Sequence, residues 1–176
     1  MEFPFLQVLE DNWTDIYEEL DNLLYNEVVS DVSLFEPWHE EEIYDGDWDV
    51  FGFYFQGEKL TENCKRCPKT VELLNHVPGL TTAGFSSLAP ATYIKPHVGY
   101  TDAVWRAHLG LIVPPPIEAE VNGEATLLST CGLKVGQEYY TWHAGRAFVF
   151  DDTLEHSAWN FGDRTRFVLL FDFLKE

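Results

Sequence analysis

No lysine or arginine occurs before Lys59. Over the 176 residues, 11 basic side chains face 30 acidic ones, for a formal charge of −19. A field of that sign repels phosphate backbones and anionic headgroups, so nucleic-acid binding and adsorption to a membrane surface are excluded as working functions. Cysteine is scarce. Cys64, Cys67 and Cys131 are an odd number without disulfide-framework spacing, which fits a reducing compartment. Cys64 and Cys67 form a CxxC, but no second CxxC or histidine pair completes a zinc site and Pro68 follows at once, so these thiols read as structural. No apolar run approaches the ~20 residues that cross a bilayer. The opening MEFPFLQVLEDNW has neither a basic n-region nor a small-residue cleavage site. The expectation is a cytoplasmic protein.

What is present is apolar and aromatic: 45% and 15% of the chain, enough for a substantial core in one domain spanning residues 1–176. From Asn12 to Glu27, Trp13, Ile16, Tyr17, Leu20, Leu23 and Leu24 recur at helical spacing, with Asn12 or Thr14 as cap. A shorter helix starts at Cys67-Pro68, since proline suits a first turn, and stops at Pro78-Gly79. Short β-like runs follow: 49–56, 81–88, 91–97, 104–113, 131–135, 138–142, 146–150 and 164–173. Asn122-Gly123 marks a tight turn within the 114–130 segment. Many short strands after a helical start predict a mainly β sandwich or jelly roll with flanking helices.

Several polar residues are ones that a strand core would not choose. In 105–111, alternation sends Trp105, Ala107, Leu109 and Leu111 to one face and Arg106 with His108 to the other. Arg166 begins a run that is apolar on both faces, and a buried arginine is costly unless an anion meets it. Two readings stay open for Arg106 and Arg166. They pair with the abundant Asp and Glu, or they join His108 and a serine in a cradle for a small dicarboxylate. His97, in Lys95-Pro96-His97-Val98-Gly99, and His156, after the acidic turn Asp151-Asp152, are each either structural or site histidines. The acidic stretch from Glu36 to Asp49 is either a solvated face or a field that steers a cationic substrate.

In order along the chain stand Cys67-Pro68-Lys69-Thr70, Phe85-Ser86, Lys95-Pro96-His97-Val98-Gly99, Arg106-Ala107-His108-Leu109-Gly110-Leu111, Phe150-Asp151-Asp152, His156-Ser157-Ala158-Trp159-Asn160 and Arg164-Thr165-Arg166. This ordered set, over roughly 38–172, resembles the aspartyl/asparaginyl β-hydroxylases, Fe(II)- and 2-oxoglutarate-dependent oxygenases. The resemblance implies a double-stranded β-helix, a cupin-like jelly roll. It makes His97 and His156 the iron ligands. It places Ser86 and Arg166 on the distal carboxylate of 2-oxoglutarate, and Arg106 with His108 on the carboxylate beside the keto group. The wider superfamily carries an acid two residues after the first histidine, completing a 2-His-1-carboxylate triad. Here Gly99 stands there, as in the family, and Asp152 is the candidate that orients the water taking the acid's place.

O2 is the implied oxidant, with succinate and CO2 as coproducts. Where members acting on peptidyl Asp or Asn carry an arginine two residues before the one matching Arg106, this chain has Val104. The family's Thr-Asn after the H-x-G is Thr101-Asp102 here. Both departures favour a neutral or cationic substrate, a small amino acid that is free, carrier-bound or in a peptide. Two alternatives are a non-catalytic module binding a dicarboxylate, and a zinc hydrolase using His97, His156 and His108.

Overall fold

A computed structural model describes all residues from Met1 to Glu176. Two helices, α1 (Phe5–Asp11) and α2 (Trp13–Ser30), open the chain. An acidic strap follows, with β1 (Glu36–Pro37), a 3-10 turn at Glu41–Ile43 and β2 (Tyr44–Asp45). Next come β3 (Trp48–Phe55), β4 (Glu58–Lys59), α3 (Thr61–Arg66) and α4 (Pro68–Leu74), then β5 (Leu80–Leu88), β6 (Thr92–His97) and β7 (Val104–Ile112). The hairpin β8 (Ile117–Val121) and β9 (Glu124–Leu128) precedes β10 (Cys131–Val135), β11 (Glu138–Tyr140), β12 (Ala147–Phe150), β13 (His156–Asn160) and β14 (Arg166–Leu174).

The strands form two facing antiparallel sheets. The larger runs β1-β3-β5-β14-β7-β12, and the smaller β11-β10-β13-β6-β2. This is the expected jelly roll with helices on one face. The strap ties the two sheets along one edge, because Glu36 pairs with Val50 of the larger and Tyr44 with Ile94 of the smaller.

Alternation sorts the side chains of the larger sheet. Phe51, Phe53, Phe85, Leu109, Leu169 and Phe171 face outward and pack against Leu9, Ile16, Leu20 and Leu74 of the helices. Trp48, Leu88, Val168 and Leu170 face inward to Leu133, Val135 and Ile94 of the smaller sheet. One β-strand period thus feeds two cores. Trp105, Ala107, Leu109 and Leu111 lie on the helix side, which leaves Arg106 and His108 facing inward as the alternation required.

Asn12 stands at the N-cap of α2, but its amide donates backward to the Val8 carbonyl instead of capping forward. Pro68 opens α4. Its free N-terminal amides are met from another helix: the Glu19 carboxylate accepts from Lys69 N, Thr70 N and Thr70 Oγ1 at 3.1, 2.6 and 2.7 Å. Cys64, Cys67 and Cys131 are all free and buried, and burial pushes the Cys67 thiol up to about 12, where it is inert. Helices α1 and α3 and strand β13 were not anticipated from the sequence. No helix is long and apolar enough to cross a membrane.

Candidate active site

His97 ends β6 and His156 begins β13, and the two face each other across the ladder. Their ring centroids are 4.2 Å apart. Each ring is turned the same way: His97 Nδ1 sits 2.7 Å from the Lys95 carbonyl, and His156 Nδ1 2.9 Å from the Leu154 carbonyl. A carbonyl only accepts, so both Nδ1 atoms carry a proton and neither Nε2 is engaged by the protein. Burial, partly opposed by the Leu154 bond and reinforced by His97 and Arg106, pulls His156 down to about 4. A neutral imidazole with Nδ1–H on a carbonyl is the form that ligates a metal. The pair therefore fits a divalent ion. No group of three or more His, Cys, Asp or Glu side chains is placed to hold one, so the donor set is these two rings.

Asp152, four residues before His156, is packed against Gly99 and is 1% exposed, with neither carboxylate oxygen hydrogen-bonded. Burial raises its pKa, Arg106 lowers it, and Asp172 and Asp151 raise it again. Its backbone carbonyl accepts from Gly99 N at 2.7 Å, which brings its side chain against the Gly99 α-carbon.

Between the sheets lies a small, partly open cavity, reached by His97, His156, Arg106, His108, Ser86 and Arg166. Six of the seven predicted site residues thus share one space, and the seventh, Asp152, is the neighbour of Gly99 and Arg106. At the deep end, Arg166 is 2% exposed and donates Nη2 to Ser86 Oγ at 2.9 Å. Its Nε has no partner, and its guanidinium lies 4.5 Å over the Trp142 ring. Burial without a carboxylate pulls Arg166 down to about 9, with only Cys131 acting in the other direction. Trp48 Nε1 also donates to Ser86 Oγ, at 2.9 Å. The serine oxygen thus accepts twice, and its own hydrogen is left to donate.

His108 is fixed by Trp142, whose Nε1 donates to His108 Nδ1 at 3.0 Å. That forces the proton onto Nε2, which is buried and unpaired. Burial first, then Arg166, Arg106 and His156, hold His108 well below its ordinary value, so it is a neutral donor. Orphaned buried donors are rare unless a ligand meets them. Arg166 Nε, His108 Nε2 and the Ser86 hydroxyl are thus donors on one cavity with hydrogens available to an acceptor.

Arg106 differs from the other donors. It directly opposes Asp172 in the β7–β14 register, and its Nε and Nη2 donate to Asp172 Oδ1 and Oδ2 at 2.7 and 2.9 Å. The sequence left pairing and cradle as alternatives. The pairing is present, and the cavity contact is present beside it. Asp172, Trp48 and Trp142 escaped the sequence reading; the one available signal was an acid in the otherwise apolar run 167–173.

The aspartyl/asparaginyl beta-hydroxylase family model matches residues 10–176. The chain belongs to the aspartyl/asparaginyl beta-hydroxylase family. Among its relatives in that family, it is 33% identical over 181 residues to an ornithine lipid ester-linked acyl 2-hydroxylase of Rhizobium tropici, covering 98% of this chain and 58% of that one. It is 31% identical over 171 residues to the Homo sapiens aspartyl/asparaginyl beta-hydroxylase, covering 93% and 20%. The Mus musculus aspartate beta-hydroxylase domain-containing protein 2 is 34% identical over 178 residues, covering 95% and 47%. The chain therefore spans from a fifth to under two thirds of these relatives. Among solved structures, a Pseudomonas putida prolyl-4-hydroxylase matches with TM-score 0.51 and 14% identity, covering 91% of this chain and 88% of that one, a likeness of fold.

Proposed function

We propose that the protein is an Fe(II)- and 2-oxoglutarate-dependent dioxygenase. It hydroxylates an unactivated C–H of an amino acid, free, carrier-bound or in a peptide, with succinate and CO2 as coproducts. The observation that carries this reading is the pairing of two matched imidazoles with buried, unpaired donors in one cavity. Bound iron with O2 and 2-oxoglutarate supplies the oxidising power that side chains lack.

The chain's own residues then position and neutralise. His97 and His156 offer Nε2 to the ion, while the Lys95 and Leu154 carbonyls fix their tautomers. Arg166 and Ser86 at the deep end match the distal carboxylate of 2-oxoglutarate, and the Trp142 face under Arg166 supports the cation before the anion arrives. His108 Nε2–H and Arg106 line the same cavity nearer the imidazoles and suit the carboxylate beside the keto group. Asp152, with both oxygens free, would serve as an acceptor for water at the metal in place of a third protein ligand. Leu133, Ala158, Ile94 and Leu170 keep bulk water out and limit wasteful turnover.

A groove of about 980 Å³ adjoins the cavity through Leu170 and is the approach for substrate. Its walls include Trp38, Val50, Tyr54, Phe55 and Leu60, and the acidic strap supplies Glu36 at its edge. The strap's acids favour a neutral or cationic substrate over an anionic one. The apolar walls support a second reading, in which the hydroxylated group is an acyl chain, as named for the Rhizobium tropici relative. Peptide backbone in such a groove would need hydrogen-bond partners, whereas an aliphatic chain would not.

The deciding experiment is aerobic turnover with Fe(II), 2-oxoglutarate and a panel of neutral and cationic amino acids, peptides and acyl amides, read as succinate and a mass gain of one oxygen. Succinate matched by hydroxylated product supports the reading. Dicarboxylate binding without oxygen-dependent succinate supports the non-catalytic module instead.

A further inference from the structure

One guanidinium lies between two buried carboxylates. Arg106 Nε is 2.7 Å from Asp172 Oδ1 and 3.9 Å from Asp152 Oδ2. All three side chains are 6% exposed or less. The planar fork of Arg106 is filled by Asp172 in a two-bond, charge-assisted pair, and the Tyr100 hydroxyl adds a 3.4 Å contact to Asp172 Oδ2. Asp152, with the same charge and nearly the same burial, is left without a hydrogen bond. Such inequality between two acids around one cation follows from register, because of the two acids Asp172 alone is a cross-strand partner of Arg106.

We propose that Asp172 is a positioning residue that holds Arg106 away from Asp152, so that Asp152, packed against Gly99 two residues from His97, stays an open acceptor. The inference rests on the metal-site reading above and adds to it a residue outside the ligand set and the cosubstrate socket. If the Asp172 charge is removed, Asp152 becomes the remaining buried anion within reach. Closing about 1 Å of distance would bring Arg106 into a charge-assisted bond with it. The acceptor would then be spent on the arginine and lost to the metal's water.

The test is Mn(II) affinity of the full chain without 2-oxoglutarate, by calorimetry, for wild type, Asp172→Asn, and Asp172→Asn combined with Arg106→Gln. Asp172→Asn should weaken Mn(II) about 10- to 100-fold, the range for losing a support behind a metal ligand. The double variant should recover most of that loss, because the competing cation is gone. Equal affinity in wild type and Asp172→Asn overturns the inference while leaving the metal site standing. A double variant as weak as the single one also overturns it, since Asp172 would then act through general packing. Wild type that binds no Mn(II) removes the metal reading, and this inference with it.

Should Asp172→Asn fail to fold, the paired replacement Arg106→Met with Asp172→Leu exchanges a buried ion pair for apolar groups, a change cores tolerate. It leaves Asp152 unpaired and should bind Mn(II) within about threefold of wild type, less than the tenfold minimum for a lost support. A larger loss counts against the inference.

Discussion

The carboxylate of Asp152 fills the space where a side chain at Gly99 would begin: a β-carbon built on Gly99 falls 2.6 Å from Asp152 Cγ. Gly99 of the His97-Val98-Gly99 motif thus admits an acid from 53 residues later in the chain (152 − 99).

Gly99→Ala should therefore cost about 1–3 kcal/mol of stability through overpacking and should depress turnover. Adding Asp152→Ala should restore the melting temperature without restoring activity. Thermal melts and succinate release separate the two effects, and a Gly99→Ala protein with unaltered stability would contradict the placement of Asp152.

Arg166→Met removes a buried cation that has no acidic partner. Loss of a charge-paired donor typically costs about 2–5 kcal/mol, roughly 30-fold to several thousandfold in 2-oxoglutarate affinity. Stability of the ligand-free protein should stay equal or rise. Calorimetric binding and urea unfolding on the same samples check both halves.

Trp142→Phe keeps the aromatic face under Arg166 but removes the N–H that fixes His108. With one neutral hydrogen bond lost, 2-oxoglutarate KM should rise roughly threefold to tenfold while metal affinity holds. A fall in metal affinity instead would mean that Trp142 supports the imidazole pair.

His108 is neutral when folded, with a pKa well below its ordinary 6.5. Its unfolded form takes up a proton first as pH falls. Stability is therefore flat with respect to this group above about 6.5 and declines below it by up to about 1.4 kcal/mol per pH unit. Urea unfolding of metal-free protein between pH 7 and pH 5 should show that decline, and His108→Gln should make it shallower.

Much of this was legible in the residues. The 105–111 alternation sorted Arg106 and His108 from Leu109 and Leu111 correctly, because a strand between two cores obeys a strict period of two. The long helix was legible from its apolar stripe. Strand β13 was not, since His156, Ser157 and Asn160 are polar yet buried, so its five residues carry no apolar stripe to read. Helix α3 is six residues long with Cys64 as its one buried side chain, too short to show a period. The choice of Arg106 between anion cradle and ion pair depended on its cross-strand partner Asp172, and register is set by tertiary pairing that a single strand's pattern does not contain.

In the proposed function, His97 and His156 hold one divalent iron beside a socket for 2-oxoglutarate. Anaerobic calorimetric titration of 2-oxoglutarate into the Fe(II)-loaded chain tests it most directly. One site per chain, lost in His97→Ala and His156→Ala and strongly weakened in Arg166→Met, is the predicted result. Binding that is absent in wild type, or indifferent to both histidines, would contradict it.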